Sequence, residues 1–292
     1  MRYGVFFPTA KIGNDPEALK KLATSTEQMG FDYIAAPDHV VQAGQPIEEG
    51  WRAQYTRDFP HHEPLLLFSF MASITSRIRF QTAVLILAQR PAVLVAKQAA
   101  ELDVLSGGRA ELGIGIGWNE LEFTALHQNF RDRGRRVEEQ IEVMRKLWTE
   151  ELVTFRGEWH EVTDAGLAPM PVQRPIPLWI GAFAKPAVAR AGRLADGWLL
   201  KPQLLPADDE THELLGVYRE AAASVGRDAS TLGLGATLHL NNRGVNAWVD
   251  EVGAWNELGA TQITVRTSTA DYSELQQHLD IFQQFREAVA AQ

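Results

Sequence analysis

Asp38 and His39 stand side by side just after a short apolar run, residues 31–36, and their types suit proton transfer near neutral pH. Facing an organic cofactor, the His39 imidazole would act as acid or base, with Asp38 orienting the ring or binding a polar cofactor edge. The same pair also reads as a turn-capping aspartate followed by a loop histidine. Gly181 and Ala182 form a second constellation. There a strand ending in glycine turns into a helix opened by Pro186, and the backbone N–H groups of such a turn make a seat for phosphate. Other strand-to-helix turns in the chain would look alike. The run Gly113-Ile-Gly115-Ile-Gly117 is a third. Glycines at alternate positions strip one strand face of side chains, which either opens a floor for a large flat ligand or relieves crowding inside a small barrel. It is not a dinucleotide fingerprint, because Asn119-Glu120 follow where a third glycine is wanted.

Other reactive types lack a constellation. His61-His62-Glu63 suggests metal, but adjacent histidines rarely converge on one ion, so no metal is expected. His127 ends a helical stretch as a cap or packing residue, and His160 sits beside Trp159 at a surface or lid position. Ser69, Ser73 and Ser76 have no G-x-S-x-G context for hydrolase chemistry. The chain has no cysteine, which excludes disulfides, thiolate catalysis and cysteine-ligated clusters. A net charge of −9 without a basic run excludes a nucleic-acid partner. The N-terminal apolar stretch is too short for a secretory signal and no run is long enough to span a membrane, so the expectation is a cytoplasmic protein acting on a small molecule.

The elements that must position these residues alternate between strand and helix patterns. Strands are expected at 3–8, 31–36, 80–87, 110–116, 177–181, 196–200, 232–240 and 262–266. Asp15-Pro16 opens the first helix and Gly30 stops it; Pro64 and Pro91 open two more, and Ser106-Gly107-Gly108 closes the third. Residues 149–175 break the rhythm with a hairpin pattern and a proline-rich tail. Eight strand–helix units in order predict an α/β fold, a (β/α)8 TIM barrel filling residues 1–292 as a single domain, with an insertion after the fourth β/α unit. Function then belongs to the loops after the C-terminal ends of the strands, which include Asp38, His39, Asn119, Gly181, Ala182, His239 and residues 266–268.

Four blocks together resemble the bacterial luciferase-like family of flavin and deazaflavin enzymes: GFDYIAAPDHV (30–40), TAVLILAQRPAVLVAKQAAELDVLSGGRAELGIGIGWNELEF (82–123), FRDRGRRVEEQIEVMRKLW (130–148) and PVQRPIPLWIGAFAKPAVARAGRLADGW (171–198). The resemblance implies a (β/α)8 barrel with an insertion after the fourth unit. The Asp38-His39 pair resembles the branch that uses the deazaflavin coenzyme F420, where the histidine is implicated in proton transfer and the acid contacts the ring. It implies further that Ala83–Val84 carries a non-prolyl cis peptide beneath the ring, that Asn119 lies by the cofactor's polar tail, and that Gly181 and Ala182 lie by its phosphate. Sugar-phosphate dehydrogenases of that branch place a glutamate directly after the glycine-rich strand, where this chain has Trp118.

The resulting expectation is an oxidoreductase moving a hydride between coenzyme F420 and a small organic substrate, with His39 catalytic. Asp38, Ala83, Val84, Asn119, Gly181 and Ala182 would bind the cofactor. Trp51, Trp118, Trp159 and Phe183 would line the substrate side, or pack in the core. The alternatives are an FMN-dependent monooxygenase using O₂ and a non-catalytic flavin-binding protein. The family often pairs barrels across a two-fold, so a homodimer is expected.

Overall fold

The computed structural model describes residues 1–9, 15–46, 56–240, 243–267 and 274–291. Eight parallel barrel positions are filled by β1 (Arg2–Phe6), β2 (Tyr33–Ala36), β3 (Arg79–Thr82) with its continuation β4 (Leu85–Ile86), β5 (Ala110–Gly115), β8 (Leu178–Gly181), β9 (Gly197–Leu199), β10 (Gly233–Leu240) and β11 (Gln262–Thr267). The order β3-β2-β1-β11-β10-β9-β8-β5 closes on itself through pairing of β3 with β5. This is the expected TIM barrel, with α1 (Pro16–Gln28), α2 (Pro64–Ala72), α3 (Ala92–Ser106), α4 (Glu120–Ala125), α5 (Arg133–Thr149), α6 (Lys185–Leu194), α7 (Asp209–Ala223), α8 (Val245–Glu257) and α9 (Leu275–Ala290) between and after its strands.

Local chemistry sets the helix ends. The Asp15 side chain accepts from Glu17 N at the start of α1, Glu63 accepts from Leu66 N at the start of α2, and Gly107 ends α3 in the left-handed region at φ 69°. Between α5 and β8 the insertion forms an antiparallel hairpin of β6 (Val153–Arg156) and β7 (Glu161–Ala165). Its turn is tethered to α5: the Glu139 carboxylate accepts from the backbone of Glu158, Trp159 and His160 and meets His160 Nδ1 at 2.7 Å. His160 is therefore a tether on the outside of the barrel. Trp159 belongs to the same turn, 5.1 Å from the Arg135 guanidinium, and does not line the mouth.

The expected strand 80–87 is interrupted. Phe80 pairs with Ala110 and Gln81 with Glu111, an offset of 30, whereas Leu85 pairs with Ile114 and Ile86 with Gly115, an offset of 29. One extra residue thus sits in the strand at the Ala83–Val84 step, whose peptide bond is cis. The bulge explains the glycine run, and the explanation is crowding. A Cβ on Gly113 would stand 2.0 Å from the Thr82 carbonyl oxygen, one on Gly115 2.6 Å from Val84, and one on Gly117 2.7 Å from Ile86. The open cofactor floor is corrected accordingly: the neighbouring bulged strand already occupies that space. Deeper in the barrel the logic is the same, for the Trp179 ring fills the volume beside Gly197 and Gly233, and Tyr33 that beside Gly4.

Candidate active site

The C-terminal ends of the strands enclose a small cavity, about 90 Å³, lined on its apolar sides by Phe6, Val84, Phe183, Leu199, Leu200 and Pro202 and on its polar side by Thr237, Thr264 and Arg266. A larger open groove of about 740 Å³ lies on the outside, between α5, the hairpin and the end of α6. Chemistry is assigned to the mouth, because βα-loops of different strands converge there while the outer groove lies on the barrel's flank.

His39, in the loop after β2, is held by a residue from the loop after β5. Its Nδ1 lies 3.3 Å from Glu122 Oε2 on α4, and Glu122 also accepts from Val40 N at 2.9 Å and from Gln89 Nε2 at 3.4 Å. Glu122 is 1% exposed. Burial pushes its carboxyl up, but the bond from and charge of His39, with the Val40 and Gln89 donors, outweigh that and hold it below the ordinary glutamate value. An ionised, buried carboxylate beside an imidazole fixes which ring nitrogen bears the proton and supports the imidazolium when it forms.

A second imidazole packs on the first. His61 meets His39 edge to face, with ring centroids 4.8 Å apart, and its Nδ1 contacts Gln42 Nε2 at 2.8 Å and the Phe59 carbonyl at 3.1 Å. Burial first, then the neighbouring His39, pushes His61 down to about 4, so it is uncharged at neutral pH.

Asp38 faces away from this pair. Its carboxylate accepts from Arg90 Nε (3.2 Å), Arg90 Nη2 (2.7 Å) and Ile86 N (3.0 Å). Arg90 Nη1 also reaches Glu63 at 3.1 Å. One guanidinium therefore ties the residue before His39 to a residue just after His61. Asn119 is 3% exposed and caps α4, its Oδ1 accepting from Leu121 N at 3.2 Å. Ala83, Val84 and Gly181 line the mouth cavity together, with Val84 packed where Gly115 and Gly181 leave room. Ala182 is 3% exposed, donating to Leu199 O at 3.4 Å and accepting from Trp198 Nε1 at 3.0 Å. Just beyond it, α6 starts at Lys185, and its N-cap Ala184 supplies no side-chain cap. Trp118 and Phe183 are 45% and 56% exposed. Trp51, Asn241 and Ser268 lie outside the described residues.

Glu122 and His61 are not among the site residues expected from the sequence. For Glu122 a local pattern exists: Asn119 caps a helix whose third residue is Glu122, directly after the glycine-rich strand. His61 reaches His39 only through the path of a long loop, which no spacing encodes.

A barrel with acid–base groups gathered at the C-terminal ends of its strands defines an enzyme-type (β/α)8 architecture. Within that class, residues 1–277 match the family model described as luciferase-like monooxygenase, and the chain belongs to that family. It is 34% identical over 223 residues to the F420-dependent glucose-6-phosphate dehydrogenase of Segniliparus rotundus, an alignment covering 74% of this chain and 62% of that one. Two solved structures share the fold: the monooxygenase RslO1 from Streptomyces bottropensis (TM-score 0.78, 20% identity, 100% and 99% of the two chains) and an F420-dependent secondary alcohol dehydrogenase in complex with an F420-acetone adduct (TM-score 0.77, 17% identity, 99% and 98%). Among the described residues, no helix is long and apolar enough to cross a membrane.

Proposed function

We propose that this protein is an oxidoreductase that moves a hydride between coenzyme F420 and a small organic substrate at the barrel mouth. The observation that carries the reading is the His39–Glu122 couple, at the same end of the barrel as the apolar-walled cavity. The F420-dependent relative at 34% identity points to the same cofactor.

The residues at the mouth fit a planar ring with a phosphate tail. The cavity is too small to enclose a tricyclic ring, so Ala83, Val84 and Gly181 at its rim would hold such a ring. The uncapped start of α6, in the turn after Gly181 and Ala182, suits the phosphate. Asp38 serves the ring indirectly, by holding the 86–90 segment through Ile86 and Arg90. Asn119 does so by fixing the loop that leaves β5. A deazaflavin has carbon where a flavin has N5, so when bound it supplies a hydride donor or acceptor that reacts poorly with oxygen.

With Nδ1–H directed to Glu122, His39 presents Nε2 for proton transfer. In the reducing direction the substrate carbonyl carbon gains the hydride and its oxygen gains the proton from His39; oxidation of the alcohol runs in reverse. Val84, Leu199 and Phe183 keep water from the reacting atoms.

The decisive experiment is an anaerobic assay of reduced coenzyme F420 with small carbonyl compounds, and of oxidised coenzyme with the matching alcohols, followed by coenzyme absorbance. Turnover without oxygen supports the reading. Product that forms only with reduced FMN and O₂ would replace it with the monooxygenase reading.

We further infer a homodimer, on the evidence of two helices. Although α2 lies on the barrel's outside, its sequence is apolar on every side, with Leu66 69% exposed, and neighbouring α3 exposes Val93, Leu94 and Leu105. A second copy would cover that face. Cytoplasmic location remains the reading that the cysteine-free composition supports.

A further inference from the structure

Along the chain, His39 is held from both sides. The residue before it, Asp38, is 2% exposed, and its two carboxylate oxygens take Nε and Nη2 of Arg90 in a side-on fork, with Ile86 N as a third donor. The residue after it, Val40, donates its backbone N–H to Glu122, the carboxylate that also meets the His39 ring. Gln89, next to Arg90 in sequence, donates to that same carboxylate. Arg90, Asp38, His39, Val40, Glu122 and Gln89 thus form a closed ring of peptide and hydrogen bonds that carries the imidazole.

The remaining guanidinium nitrogen, Arg90 Nη1, reaches Glu63 at 3.1 Å, two residues beyond His61, whose ring packs on that of His39. Every nitrogen of Arg90 is therefore engaged with the two chain segments that bear the imidazoles. Its own backbone is fixed from the outside of the barrel. On α5, Arg136 Nη2 donates to Ala88 O at 2.8 Å and Gln140 Nε2 to Arg90 O at 2.9 Å, and both side chains are buried. A planar, permanently charged fork on an anchored backbone passes its position on to Asp38 with little freedom. A lysine's single ammonium on a flexible stem does not.

We propose that Arg90 is a positioning residue for hydride transfer: acting through Asp38, it sets the place of the His39 ring against Glu122, and with it the ring nitrogen that bears the proton. This rests on His39 being the acid–base group of the function proposed above. Without the fork the segment around His39 gains freedom, and the 3.3 Å contact of Nδ1 with Glu122 loosens. Nε2 then no longer meets the reacting oxygen in one orientation.

The test compares wild type with Arg90→Lys, which keeps the charge, and Asp38→Asn, which keeps the shape on the other side of the fork. Nitrogen NMR of the imidazoles, in coenzyme-free protein at a pH where the ring is neutral, should show wild-type His39 as a single Nδ1–H tautomer. Both variants should show a mixture of the two tautomers. If the fork variants fail to fold, Gln140→Met, which releases only the Arg90 backbone from α5, should shift the tautomer balance in the same direction. In turnover with coenzyme F420, Arg90→Lys should lose about ten- to hundredfold in kcat, with a smaller change in coenzyme affinity. On a His39→Asn background the same substitution should change turnover by less than about twofold, because the side chain it positions is gone. A wild-type His39 that mixes tautomers, variants that keep the single tautomer, or an Arg90→Lys loss that persists undiminished without His39 would each overturn the proposal. A tautomer shift on loosening the fork, in a protein that binds no F420, would support this inference while ending the coenzyme reading.

Discussion

The two ends of the barrel each bury a glutamate, and they use it in opposite ways. At the N-terminal end Glu111, 4% exposed, accepts from Arg2 (2.5 and 3.1 Å), Arg79 Nε (2.5 Å) and Gln81 Nε2 (3.1 Å). Two guanidiniums that never lose their protons lock it. At the mouth Glu122, 1% exposed, takes a backbone N–H, an amide and the His39 imidazole. None of those three is a permanent cation, and an imidazole is a side chain able to take up and release a proton. The bottom is built to stay in one state, and the mouth to occupy two.

That contrast breaks most visibly under substitution. Glu111→Ala leaves two part-buried arginines without their shared carboxylate and should cost about 3–5 kcal/mol of stability, read as a lower denaturant midpoint with coenzyme affinity unchanged in the protein that remains folded. His39→Asn should do the reverse, lowering hydride-transfer turnover by about 10²–10⁴-fold while stability stays within about 1 kcal/mol. A large stability loss there would mean His39 is structural. Glu122→Gln keeps the shape but removes the charge, so turnover should fall by about tenfold or more, chiefly in kcat. A change confined to KM would contradict its role as the partner of His39.

A further effect is in pH dependence. His61 is held near 4 in the fold against 6.5 when unfolded, so between those values the unfolded chain binds the extra proton. Stability should therefore fall as pH drops from about 6.5 to about 4, and His61→Asn should flatten that slope. Glu122, held below its ordinary value, adds a loss at lower pH still, as its carboxyl takes up a proton. An unchanged slope in the variant would mean His61 is solvated.

Much of the frame is legible in the sequence, for local reasons. Asp15-Pro16, Pro64 and Gly107 mark helix ends because caps and fixed φ angles act within a few residues. The C-terminal-end rule then brings His39, Gly181 and Arg266 to one mouth without any knowledge of contacts. Harder to see is what depends on a distant strand. Residues 80–87 run apolar across Ala83–Val84, so the bulge there is announced by the family resemblance and not by their pattern. The bulge in turn fills the space above Gly113 and Gly115, which a sequence reader could equally assign to a ligand. Asp38 shows the same limit. Its place after β2 is plain, but its commitment to Arg90 is set by a loop that follows a different strand.

What the mouth binds tests hydride transfer there most directly. Oxidised coenzyme F420 and FMN, titrated in parallel into the purified protein and followed by fluorescence, should give tight deazaflavin binding and weak flavin binding. Tight FMN binding with no retention of F420 would contradict hydride transfer at the His39–Glu122 couple and turn the search to oxygen-dependent chemistry.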